Sequence, residues 1–142
     1  MAGGIVMKKE DFLLYQKMAQ EDTVLPENHD DLMEFNMKIP GIKQKYIDAY
    51  RQQVAVVATL EDKLEESRAK AKNKLKGDGF AYTSKELDEQ CYLDEAVAKI
   101  NKALIEQRYY MGWLEETLKN VTSLSFTINN WLKWKEIIST NF

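Results

Sequence analysis

Between Leu93 and Leu118 the residues Leu93, Val97, Ile100, Leu104, Gln107, Met111, Leu114 and Leu118 follow one another at steps of four and three. That spacing places all eight on one stripe of an α-helix and, sustained over this many turns, makes the heptad seam of helix-on-helix packing. A strand would scatter the same residues over both faces of a sheet. A second stretch without a helix breaker, Ile42 to Leu75, repeats the pattern with Tyr46, Tyr50, Val54, Val57, Leu60 and Leu64. It predicts a second continuous helix. Gln107 is the polar member of its seam. A residue of this kind selects register or partner number in a coiled coil, and a place facing a wet gap is the equally open alternative.

The rest of the chain punctuates these two helices. Phe12, Leu13, Tyr15 and Met18 among charges predict a short amphipathic helix over Lys8 to Gln20. Pro26 suits a first helical turn, and Asp30 and Asp31 complement the dipole of a second short helix, Glu27 to Met37. Pro40-Gly41 is expected to end it. Thr83 or Ser84, with Glu86 and Leu87 following, reads as the N-cap of the longest helix. Near Asn120 the run VTSLSFT weakens helix, so a kink or short turn is expected there, although Val121, Ser125, Ile128 and Leu132 continue the seam. A final helix then runs to about Ile138. The expected fold is all-α: an elongated antiparallel helical hairpin with short N- and C-terminal helices, divided into an N-terminal segment 1–41 and a hairpin domain 42–142. Met7 can itself serve as a start, so an upstream extension is an open reading of residues 1–6.

Length then argues for self-association. Two helices of about 35 residues are each about 50 Å long, whereas a compact globule of this size is about 40 Å across. The two seams, with Tyr109, Tyr110, Trp113, Phe126, Trp131 and Trp134, exceed what one partner helix covers. A homo-oligomer is the economical solution, with Leu104, Met111, Leu114, Leu118, Trp131 and Trp134 as its candidate interface residues. For the aromatic residues an intramolecular core is the competing reading.

The stretch from Ser67 to Tyr82, SRAKAKNKLKGDGFAY, interrupts this mildly acidic, helical sequence with five cations in nine residues, a Gly-Asp-Gly turn and two aromatics. Gly77 and Gly79 supply the freedom that ends the helix. On a helix Arg68, Lys72 and Lys76 form one row and Lys70 and Lys74 another on the opposite side. A polyanion gripped from two sides fits such rows better than a small phosphate does. Arg68, Lys70, Lys72, Lys74 and Lys76 are therefore candidate DNA-binding residues, with Phe80 and Tyr82 as candidate base-stacking groups. The plainer alternative is a helix C-terminus that favours lysine through its dipole, followed by a solvated loop.

A net charge of −3 over 142 residues excludes a uniformly basic nucleic-acid coat, so any such binding is local. One cysteine, Cys91, and one histidine, His29, cannot build a disulfide framework or a Cys/His zinc site within one chain, and they point to a reducing, cytoplasmic setting. No apolar run approaches the roughly 18 to 20 residues of a membrane span. Phosphate-binding glycine loops, HExxH and EF-hand ladders are absent from the sequence, and Glu61, Asp62, Glu65 and Glu66 read as a solvated face. Neither an enzyme nor a cofactor is expected. Two other classes stay open: a structural coiled-coil or adaptor protein without DNA binding, and a helical nucleotide-processing enzyme with a carboxylate cluster for Mg²⁺.

A long helix ending in Ser67-Arg68-Ala69-Lys70-Ala71-Lys72, then Gly77-Asp78-Gly79, a second long helix and a short C-terminal one, resembles the UvsY recombination mediator family of T-even-like phages. The similarity runs from about Asn36 to Ile138. In that family a motif Leu-Lys-Ala-Arg-Leu precedes the Gly-Asp-Gly and is associated with single-stranded DNA binding. Here Arg68 and Lys70 stand nearest its two cations, with their types exchanged, the register offset by a residue and the flanking leucines absent. The resemblance implies a six- or sevenfold homo-oligomeric ring, of which the heptamer is one form. It also implies non-specific binding of single-stranded DNA, contacts with a RecA-class recombinase and with single-strand-binding protein, and a role in loading the recombinase. For a phage-encoded chain the location implied is the host cell cytoplasm.

Overall fold

The computed structural model describes residues 6–141, the side chains of 140 and 141 excepted. The chain forms four α-helices, α1 (Lys9–Asp22), α2 (His29–Gly77), α3 (Ser84–Gln90) and α4 (Glu95–Asn141), with a 3-10 turn, Cys91–Leu93, between the last two. No strand occurs among the described residues, and no helix among them is long and apolar enough to cross a membrane. Residues 1–5, the greater part of the stretch read as an extension, lie outside the described residues.

Three expected breaks turn out differently, each for a physical reason. Helix α2 continues through Pro40 and Gly41 over 49 residues. Within a helix a proline costs about 3 kcal/mol and a glycine about 1 kcal/mol relative to alanine. Against that cost, Leu32, Ile39 and Tyr46, each seven residues from the next, are buried on one packed stripe that spans the pair. Each buried side chain of this size contributes about 1.5 to 3 kcal/mol, so packing outweighs propensity. Pro40 itself sits on the exposed side.

Helix α4 likewise runs 47 residues without the kink expected near Asn120, so the C-terminal helix is not a separate element. Its hydroxyl side chains turn back onto their own helix. Thr117 Oγ1 donates to the Trp113 carbonyl at 2.9 Å, Thr122 Oγ1 to Leu118 at 2.9 Å and Thr127 Oγ1 to Ser123 at 3.2 Å. These bonds satisfy the groups that would otherwise compete for the backbone, while Val121 and Ile128 are buried on the seam.

Thr83 is the N-cap, its Oγ1 accepting from the Glu86 N–H at 3.1 Å, but the helix it opens is the seven-residue α3 and not the longest one. The long helix has a cap of its own. Asp94 Oδ2 accepts from the Ala96 and Val97 N–H groups at 3.1 and 3.3 Å.

Contacts gather into two units. One comprises Met7–Arg51 and the chain from Met111 onward. Its core is Ala19, Leu32, Ile39, Tyr46, Ala49, Leu114, Val121 and Ile128, and α1 adds an edge-to-face contact between Phe12 and Trp113 with ring centroids 5.2 Å apart. At the end of α1, Asp22 accepts from Tyr46 Oη at 2.8 Å and from Lys45 Nζ at 2.5 Å. Burial, and then the hydrogen bond to Asp22 and its charge, push the Tyr46 phenol well above its ordinary pKa.

The other unit is built on Gln52–Tyr110, and its buried residues include Val56, Val57, Leu60, Leu64, Ala71, Val97 and Leu104. Here α2 and α4 run antiparallel. Gln53 meets Gln107, and twenty-one residues further along α2 Lys74 lies 4.0 Å from Asp94, thirteen residues before Gln107 at the cap of α4. Gln53 Nε2 donates to Gln107 Oε1 at 2.7 Å and to the Gln107 carbonyl at 2.9 Å, with both side chains about 2% exposed or less. The polar member of the seam therefore faces a polar partner.

Candidate nucleic-acid interface

The basic tract lies on the last turns of α2, within the Gln52–Tyr110 unit. Two things stop the helix there. Gly77 is its last residue, and the Asp78 N–H returns to the Leu75 carbonyl at 3.2 Å. Gly79 then adopts φ +83°, a left-handed conformation that residues with a Cβ rarely take.

The two rows of cations expected on opposite sides of α2 have different surroundings. Arg68 and Lys72, with side chains 20% and 28% exposed, face α3 and the 3-10 turn. Lys72 Nζ donates to Asp88 Oδ1, and Arg68 Nη2 lies 3.6 Å from the same oxygen. Arg68 Nη1 also donates to Glu65 Oε1 at 2.9 Å, and the guanidinium stands over the Tyr92 ring at 5.1 Å. The neighbouring Cys91 sulfur is the main influence raising the Arg68 pKa, with Tyr92 and Glu65 adding to it against burial. The Lys72 hydrogen bond, followed by its charge, holds the Asp88 carboxyl below its ordinary pKa.

Lys70 and Lys74 are the open pair, with side chains 74% and 77% exposed. Lys70 pairs along its own helix with Glu66 at 3.6 Å, and such surface pairs are weak and screened by salt. Both lysines line an open groove with Ser67, Asn73, Asp94 and Ala96. Lys76 is exposed, and beyond the glycine turn Phe80 is 69% exposed with its ring 6.0 Å from the half-buried Tyr82. A run of accessible cations leading to an accessible aromatic can neutralise backbone phosphates and stack a base without reading sequence.

The candidate self-association residues also separate. Leu104 and Leu114 are 0% exposed within the single chain, so their apolar surface is already covered. Met111 and Leu118 are half-buried, whereas Trp131, Trp134, Phe126 and Ile137 are exposed on α4.

Sequence reasoning missed α3 as a separate helix, and with it Asp88, Cys91 and Tyr92 as neighbours of the tract. The signal was present in Asp94-Glu95, a helix-start pair immediately after Leu93.

No curated protein and no solved structure matches the chain. A protein-family model described as "Recombination, repair and ssDNA binding protein UvsY" matches residues 18–141. The match takes in both long helices, the basic tract and the Gly-Asp-Gly turn, and the chain belongs to the UvsY family.

Proposed function

We propose that this protein binds single-stranded DNA without sequence preference and promotes loading of a RecA-class recombinase in place of single-strand-binding protein, acting as a homo-oligomer. The observation that carries the DNA-binding part is the exposed run Lys70, Lys74 and Lys76 leading through the glycine turn to exposed Phe80. The family description supports recombination, repair and single-stranded DNA binding. Self-association is supported by the exposed Trp131, Trp134 and Phe126 on α4, large apolar groups of the kind that anchor interfaces. Several copies would multiply weak phosphate contacts and so let a net-acidic chain hold a strand. The recombinase and single-strand-binding-protein contacts, and a six- or sevenfold ring, rest on the resemblance to the family.

The test is fluorescence anisotropy on an oligo-dT across a salt series, with Lys70→Ala and Lys74→Ala combined. Each phosphate neutralised adds about 0.7 to the slope of log affinity against log salt, so two per chain contribute about 1.4. Between about 50 and about 200 mM salt the native affinity should fall about sevenfold more than that of the double variant. Duplex should bind more weakly than the flexible strand, being too stiff to follow cations that point in different directions. Equal slopes in native and variant protein would place the DNA site elsewhere.

A further inference from the structure

We propose that Arg68 and Lys72 form a phosphate subsite that the Asp88 carboxylate occupies while the chain is free, and that a bound strand displaces Asp88 and helix α3 with it. The proposal rests on the single-stranded-DNA reading above and adds the regulation of that site. Asp88 presents one anionic oxygen to both cations, Lys72 Nζ and Arg68 Nη2, which is how a phosphate oxygen would sit between them.

The guanidinium is only partly used. Arg68 Nε is buried and has no hydrogen-bond partner, which is true of no other buried side-chain nitrogen or oxygen among the described residues. A forked arginine contact to phosphate uses two parallel N–H groups, and the Asp88 carboxylate meets only Nη2.

The segment that carries Asp88 is suited to moving. Helix α3 has seven residues, none of them fully buried, and half-buried Leu87 is its one large apolar side chain. Its hold includes the Thr83 cap, the ion pairs of Asp88 and, at its downstream end, the Cys91 Sγ bond to the Asp88 carbonyl at 3.2 Å. Its ends are defined by Gly79, whose positive φ makes the upstream turn, and by the fully buried Cys91 downstream. Between them lie Glu86, Asp88 and Glu89 against a single cation, Lys85. An acidic strap anchored at both ends therefore covers Arg68 and Lys72, while Lys76 of the same row stays exposed. The opposite row, Lys70 and Lys74, stays open for first contact.

Two measurements on the full chain decide the proposal. In hydrogen exchange of the native protein with and without oligo-dT, amides of residues 84–90 should exchange several-fold faster when DNA is bound, while those of 98–107 do not. In anisotropy, Asp88→Asn should tighten oligo-dT binding by about two- to tenfold. Glu89→Gln, which removes the same charge one residue away, should change it less than twofold. Unchanged or greater protection of 84–90 on binding, or equal effects of the two variants, would overturn the subsite and leave DNA binding intact. Absence of any affinity in the native chain would overturn both. Should Asp88→Asn fail to fold, the exchange measurement on the native protein decides alone.

Discussion

Replacing Gln53 and Gln107 with leucine, singly and together, tests what the buried polar pair contributes. The two side chains lie 2.7 Å apart in a seam otherwise lined by Val57, Leu60 and Leu104, and leucine has nearly the volume of glutamine. Gln107→Leu leaves Gln53 Nε2 its second acceptor, the Gln107 carbonyl at 2.9 Å, so its cost should lie near the lower end of the range of about 1 to 3 kcal/mol for a stranded buried group. Gln53→Leu removes the donor to Gln107 Oε1, while the Gln107 carbonyl lies inside α4, so the cost should be about 2 kcal/mol, the middle of that range. The double variant has no half of the pair left to strand, so it should recover to within about 1 kcal/mol of native or exceed it. The coupling energy in the cycle is then at least about 2 kcal/mol in favour of keeping or losing both. Urea unfolding at one fixed protein concentration, with m-values compared, measures it. A double variant that loses the sum of the two single losses, with coupling within about 0.5 kcal/mol of zero, would refute the argument. If the pair adds little net stability, its contribution is register: a heptad slip of α2 along α4 would set each glutamine against apolar side chains.

Phe80→Ala should weaken oligo-dT binding by about 1 to 3 kcal/mol if a base stacks there, while the half-buried Tyr82 should lose thermal stability as well on truncation. Loss of stability without loss of affinity in both variants would assign the rings to packing. Under the proposed self-association, Trp131→Ala with Trp134→Ala should lower the sedimentation coefficient towards that of the monomer without loss of helix content by circular dichroism, and an unchanged coefficient would refute self-association through these side chains. Lowering the pH should cost the native chain stability that Asp88→Asn has already lost. The Asp88 carboxyl is held below its ordinary value in the folded chain, so its contribution is present above the unfolded value of about 3.9 and disappears as the pH falls through the folded one. Melting curves of the two proteins recorded from about pH 6 to about pH 3 should converge, and parallel curves would refute this.

Periodicity made both long helices legible because burial follows most of it: Val97, Leu104, Gln107, Leu114, Val121 and Ile128 are buried, whereas Leu93, placed on the same seam, is exposed in the 3-10 turn before α4, and Val54 is exposed on α2. Local propensity misled at Pro40-Gly41 and near Asn120. In both places the seam itself continued on either side of the weak residues, and packing along it decided the outcome. At the basic tract, charge and spacing gave the candidates and their two rows. What could not be read was which row would meet a carboxylate, because Asp88 is sixteen residues from Lys72 and reaches it only through the fold of α3. At Leu104 and Leu114 the single chain already covers the apolar surface that was assigned to a partner, because one seam can pack within the chain as well as between chains.

Pro40 separates two properties of α2 that usually travel together. The hydrogen-bond ladder is interrupted, since Pro40 has no N–H to offer the carbonyl of Asn36, while the packing stripe through Leu32, Ile39 and Tyr46 is not. Bending compliance is thereby concentrated at one turn, and it has a direction. With the proline on the solvent side, a freed carbonyl there would tilt outwards to water, and flexing would make that face convex and curl the stripe more tightly around its core. Amide exchange along α2 should show a notch in protection at the turn before Pro40, even though the side chains beneath that turn stay as ordered as their neighbours.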